Sequence, residues 1–156
     1  MTLLDGPDFY GTTIFCDDIR HEAGNKITFV GTYKRSLRIH GEFPFSLPKF
    51  GLGITYIQRR TAFIKPTKFL VYVPGDGDTA SIEADYTDEV PAEAFELRHD
   101  IKENEAIVTL GAQLLFSPFV IKERGLIKVR VTRGNDLVRL GAIEVKPADD
   151  AVPPAA

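Results

Sequence analysis

Apolar and polar residues alternate with a period of two along most of this chain, and few windows show the three-to-four spacing of a helix. Leu52, Ile54 and Tyr56 alternate with Gly53 and Thr55, and Ile127, Val129 and Val131 alternate with Lys128 and Arg130. Ile82, Ala84 and Tyr86 alternate with Glu83 and Asp85, the pattern of a half-buried strand with an acidic outer face. The longest strand expected is Ala106 to Phe116, with Val108, Leu110, Ala112, Leu114 and Phe116 on one face. Phe69 to Val73 is a continuous apolar run of strand length, which predicts burial on both faces. Phe95, Leu97 and His99 predict a further strand, in competition with one or two helical turns over 89–98.

Turn residues separate these runs. Gly24-Asn25 lies between Ile14–Glu22 and Lys26–Tyr33 and predicts a hairpin, with Ser36–Ile39 extending its second arm after a bend. Gly134-Asn135 predicts a second hairpin that leads into Leu137–Val145. In that last strand the apolar phase runs Val138, Leu140, Ala142 and then shifts to Ile143 and Val145, which predicts a β-bulge beside Gly141. Pro44 and Pro48 predict an extended connection without ladder bonds over 40–50, its aromatics packed on the body. Residues 1–9 read as a lead-in.

The total is about eight or nine strands with no βαβ alternation, so a parallel sheet is not expected. The fold class expected is all-β, a two-sheet antiparallel sandwich, immunoglobulin-like or C2-like. One domain spans 1–146, followed by a disordered Pro/Ala/Asp tail over 147–156.

The run Glu123-Arg124-Gly125-Leu126-Ile127-Lys128-Val129-Arg130-Val131 resembles the penultimate strand of immunoglobulin-like sandwiches, without their corner Tyr, paired Cys or core Trp. At the other end, Phe15-Cys16-Asp17-Asp18-Ile19-Arg20 with Glu22, Lys26, Gly31 and Tyr33 resembles a family of small bacterial proteins of unknown function. That resemblance implies a single bacterial domain and carries no activity, cofactor or partner.

Composition narrows the picture little. The one Cys excludes an internal disulfide and a Cys-based zinc cage, and fits a reducing, cytoplasmic setting. No apolar run is long enough to span a bilayer, and Met1–Asp5 has no signal-peptide pattern, so no membrane partner is expected. Charge changes it more. Residues 26–68 carry nine basic side chains and one acidic, residues 76–105 eleven acidic and two basic, and residues 118–146 seven basic and three acidic. Such blocks imply either oppositely charged strand neighbours or two surfaces of opposite sign.

Asp17 and Asp18 are out of place, since Asp is depleted in strands and a carboxylate on a core face is costly unless paired. The structural reading is an ion-pair cluster of Asp17, Asp18, Arg20, Glu22 and Lys26; the functional one is a carboxylate site. Asp76, Asp78, Asp85 and Asp88 offer oxygen ligands for calcium, though no twelve-residue calcium loop is present. Lys34, Arg35, Arg38, Arg59 and Arg60 make the 26–68 block a candidate partner-binding surface, for nucleic acid in one alternative. A pI near 5.6 argues against nucleic acid as the main partner.

His21, His40 and His99 are dispersed, Cys16 reads as a buried filler, and neither a Gly-x-Ser-x-Gly elbow nor a dinucleotide or phosphate loop occurs. No catalytic residue and no cofactor are therefore assigned. The expectation is a non-enzymatic module that binds another protein or assembles with itself through an edge strand.

Overall fold

The computed structural model describes residues 7–66, 68–85 and 107–148. Among the described residues there are eleven strands and one short 3-10 turn at Arg60–Ala62. The strands are β1 Phe9–Glu22, β2 Lys26–Thr32, β3 Ser36–Ile39, β4 Phe45–Leu47, β5 Phe50–Arg59, β6 Lys68–Tyr72, β7 Ile82–Asp85, β8 Ile107–Phe116, β9 Phe119–Ile121, β10 Gly125–Arg133 and β11 Asp136–Pro147. They make a four-stranded sheet in the order β2-β1-β5-β8, a five-stranded sheet in the order β3-β11-β10-β6-β7, and a ribbon of β4 and β9. The fold is an all-β sandwich with no closed barrel.

The alternating residues explain why these sheets pack. Phe15 of β1, Leu52, Ile54 and Tyr56 of β5, and Ala112 of β8 face Phe69 and Val71 of β6 and Ile127, Val129 and Val131 of β10 in one core. Each of the larger aliphatic and aromatic side chains contributes about 2 kcal/mol on full burial. A file of aromatic rings closes one end: Phe15 is 6.3 Å from Phe50, Phe50 is 4.8 Å from Phe119, and Phe119 is 5.4 Å from Phe116. Tyr33 joins it, 6.2 Å from Phe50.

The bulge expected beside Gly141 is present. Pairing runs from Val129–Gly141 to Arg130–Arg139, which leaves Leu140 without a cross-strand partner. The extra residue turns inward, 1% exposed, and its carbonyl accepts a 2.9 Å hydrogen bond from Thr13 Oγ1 of the other sheet. A side chain of β1 thus satisfies the acceptor that the bulge frees from its ladder.

Gln58 is a buried polar residue at the opposite end of β5, 1% exposed. Its amide donates to the Ile64 carbonyl at 2.8 Å and accepts from the Ile64 N–H at 3.1 Å, clamping the crossing from the first sheet to the second. Arg133 adds bonds to Gln58 Oε1 at 3.3 Å and to the Ala62 carbonyl at 2.7 Å, with its guanidinium 4.2 Å from the Phe9 ring centre.

Several expectations are corrected. β1 begins at Phe9 rather than Ile14, because its first half pairs with β5 and its second half with β2. Ser36–Ile39 does not extend the first hairpin; it crosses to the second sheet and pairs with β11 in parallel, so the sheets are not wholly antiparallel. Pro44 and Pro48 flank a three-residue strand that pairs with β9, since proline removes only its own N–H. β11 continues through Pro147, opposite Ile39, and the Ala148 N–H bonds the Ile39 carbonyl at 2.9 Å, so the sheet extends past residue 146. These short pieces raise the strand number above the expected eight or nine. The strand or helix expected over 89–99 lies outside the described residues.

Candidate functional site

Asp17 and Asp18 sit where β1 changes partners. β1 pairs with β5 up to Cys16 opposite Gly51 and with β2 from Cys16 opposite Thr32 onward. Alternation would put Cys16 and Ile19 on opposite faces. Both nevertheless lie against Gly51, each with an atom 2.9 Å from where a Cβ would stand there. The strand therefore slips phase across Asp17-Asp18, and the two carboxylates occupy the slip rather than the core.

Each carboxylate has its own partner. The Tyr33 hydroxyl donates to Asp17. Gly31 makes the room: a Cβ there would overlap the Asp17 carboxylate, and its φ of +66° suits glycine. Asp18 accepts the Ile19 N–H at 2.9 Å and lies 3.6 Å from Lys49 and 4.0 Å from Arg20. The expected five-residue ion-pair cluster is thereby redrawn. Arg20 is a distant partner of Asp18, Glu22 and Lys26 face each other at the hairpin end, and Tyr33 and Lys49 take the roles expected of Lys26. Burial and then the Asp17 bond push the Tyr33 phenol well above its ordinary range. Burial also raises the Cys16 thiol, opposed in part by a hydrogen bond from the Asp18 backbone and aided by the charge of Asp17, which suppresses the reactive thiolate.

Between the slip and the Asp8–Arg59 pair at its far end, the outer face of the first sheet carries no charge. Register aligns Tyr10 with Ile57 and Thr109, Thr12 with Thr55 and Gly111, Ile14 with Gly53 and Gln113, and Cys16 with Gly51 and Leu115. The Phe29 ring lies over Gly53, where any Cβ would collide with it. Among the described strands β8 pairs with β5 alone. Ile107 is 57% exposed on it and Leu115 44%.

The basic residues do not gather into one surface. The Tyr33 N–H bonds the Phe15 carbonyl, which places Lys34 and Arg35 beside the middle of β1. Arg59 pairs with Asp8 at 3.8 Å and Arg60 follows in the 3-10 turn, seven strand positions or roughly 23 Å away. Arg38 is on β3, opposite Lys146 in the second sheet.

The acidic residues are similarly dispersed. Asp76 is bound by Lys122 and its pKa is lowered by that bond and one from Ser81. Asp85 ends β7 opposite Lys68, Asp78 lines a groove beside Glu123, and Asp88 lies outside the described residues. Among the described residues no three His, Cys, Asp or Glu side chains converge on a point that could hold a metal, so Asp76, Asp78 and Asp85 do not form the calcium site considered above. Lys68–Glu83 at 3.2 Å and Lys122–Asp76 instead join the acidic block to both basic blocks. No helix among the described residues is long and apolar enough to cross a membrane.

Two features escaped the sequence reading. The neutrality of the middle of one sheet face emerges only once register sets strands side by side, although the absence of charge from Ala106 to Phe116 is visible in the sequence. The juxtaposition of Arg130 and Arg139 depends on the bulge register. No family model, curated protein or solved structure matches this chain.

Proposed function

We propose that this domain is a non-catalytic assembly module that packs against a second copy of itself through the outer face of the first sheet. The observation that carries this is the uncharged patch on that face. Tyr10, Ile14, Ile107 and Leu115 are 49%, 38%, 57% and 44% exposed on it, and no charge interrupts the rows between the slip and the Asp8–Arg59 pair. Exposed apolar side chains gathered on one face and rimmed by polar residues mark an association site.

Neutrality favours a copy over a charged partner. A two-fold axis sets residue i against j and j against i, so any charge near the axis would meet its own kind. A two-fold axis near the centre of this face sets the exposed Tyr10, Ile14, Ile107 and Leu115 of one copy against those of the other, burying both sets.

Sedimentation across a concentration series tests this. Wild-type protein is expected to shift from monomer to dimer at low and high salt alike, because the contact is apolar, and Thr109→Lys is expected to stay monomeric. A wild-type monomer at every concentration and salt overturns the proposal.

A further inference from the structure

The second sheet has the opposite outer face. Arg130 of β10 stands directly opposite Arg139 of β11, and on the same face Lys128 is opposite Tyr72 of β6. Directly opposed residues sit about 5 Å apart, where like charges destabilise a sheet. Three carboxylates of neighbouring segments are already engaged: Glu83 with Lys68 at 3.2 Å, Glu144 with Lys146 at 4.0 Å, and Asp76 with Lys122. Among the described residues none of Lys128, Arg130 and Arg139 is in an ion pair.

Lys128 and Arg130 line an open groove of about 470 Å³ together with Tyr72, Leu126, Leu137 and the Pro74–Gly77 turn. That volume suits a small molecule rather than a folded partner. Along β10 its lining passes from Leu126 to Lys128, with Tyr72 opposite, and on to Arg130, so that apolar surface able to cover a ring adjoins the cations. Asp78 and Glu123 also line it and would repel an anion, which favours one orientation of a ligand charged at one end.

We propose that this groove binds a phosphate ester, its phosphate held by Arg130 and Lys128 with Arg139 alongside, and its organic part against Tyr72 and Leu126. A carboxylate would satisfy one guanidinium fork and leave the remaining cations exposed to each other. A phosphate brings close to two negative charges and three acceptor oxygens, enough to serve all three. Burial and then the charge of Arg139 already pull the pKa of Arg130 below its ordinary value, a penalty that a bound dianion would remove.

Titration of the full chain with phenyl phosphate at low salt, followed by amide chemical shifts, tests the proposal, with benzoate as the carboxylate control. Saturable shifts are expected at Tyr72, Lys128 and Arg130, with benzoate at least about tenfold weaker. Arg139→Gln is expected to raise the melting temperature of the ligand-free protein, by relieving the like-charge pair, while weakening phenyl phosphate at least about fivefold. Non-saturable shifts, equal binding of benzoate, or undiminished binding by both Arg139→Gln and Arg130→Gln would overturn it. Because the groove is on the sheet opposite β8, these results are independent of whether the protein dimerises.

Discussion

The Tyr33 hydroxyl reaches across sixteen positions of sequence to donate to the Asp17 carboxylate, with the ring of the same tyrosine seated against Phe50 in the core. This contact ties the second arm of the first hairpin to the place where β1 changes partners. Tyr33→Phe and Asp17→Ala are each expected to cost about 1 kcal/mol, and the double variant no more than the larger single. Asp18→Ala, which loses only partly exposed pairs with Lys49 and Arg20 and a local bond to Ile19, is expected to cost about 1 kcal/mol or less. Urea midpoints of the four proteins check this; strictly additive losses would show that Tyr33 and Asp17 act separately.

The same contact gives an alkaline signature. The Tyr33 phenol is raised from 10.0 first by burial and then by the Asp17 bond and charge, while an unfolded tyrosine ionises near 10. Its contribution is therefore complete below about pH 10 and is lost as pH rises from there toward the folded value. Wild-type stability is expected to fall more steeply above about pH 10 than that of Tyr33→Phe. The slope persists in part in the variant because burial raises Tyr56 as well. Equal slopes in the two proteins would contradict the assignment.

Gln58 holds the crossing between sheets through both faces of its amide. Gln58→Leu preserves volume but leaves the Ile64 N–H and carbonyl and one Arg133 donor without their partner. A loss of about 2 kcal/mol is expected by chemical denaturation. A variant as stable as wild type would mean that water replaces the clamp at no cost.

Gly53 leaves space for the Phe29 ring on the outer face of the first sheet. Gly53→Ala places a methyl in that ring and is expected to cost about 1–2 kcal/mol through displacement of Phe29. In a Phe29→Ala background the same change is expected to be nearly neutral. An undiminished cost there would assign it to the backbone of β5 instead.

Local rules foretold the strands better than their neighbours. Ile127–Val131, the shift beside Gly141 and the Gly24-Asn25 turn announce themselves because alternation and turn chemistry are properties of a few adjacent residues. The start of β1 does not, since Gly11-Thr12-Thr13 breaks the apolar rhythm and its pairing with β5 is supplied some forty positions later. The parallel partnership of β3 with β11 joins residues more than a hundred positions apart. Asp17-Asp18 was legible as an anomaly, but its resolution was not. A phase slip, a glycine opposite and a tyrosine hydroxyl satisfy Asp17 without the ion pair that composition suggested.

Solvent exposure of the Ile107 and Leu115 side chains tests self-packing most directly. In a dimer joined through the outer face of the first sheet, the methyl groups of Ile14, Ile107 and Leu115 leave solvent, so their broadening by a soluble paramagnetic probe is expected to fall as protein concentration rises, while that of the exposed Leu126 on the second sheet stays constant. Broadening at Ile107 and Leu115 that does not change between dilute and concentrated protein would contradict the account.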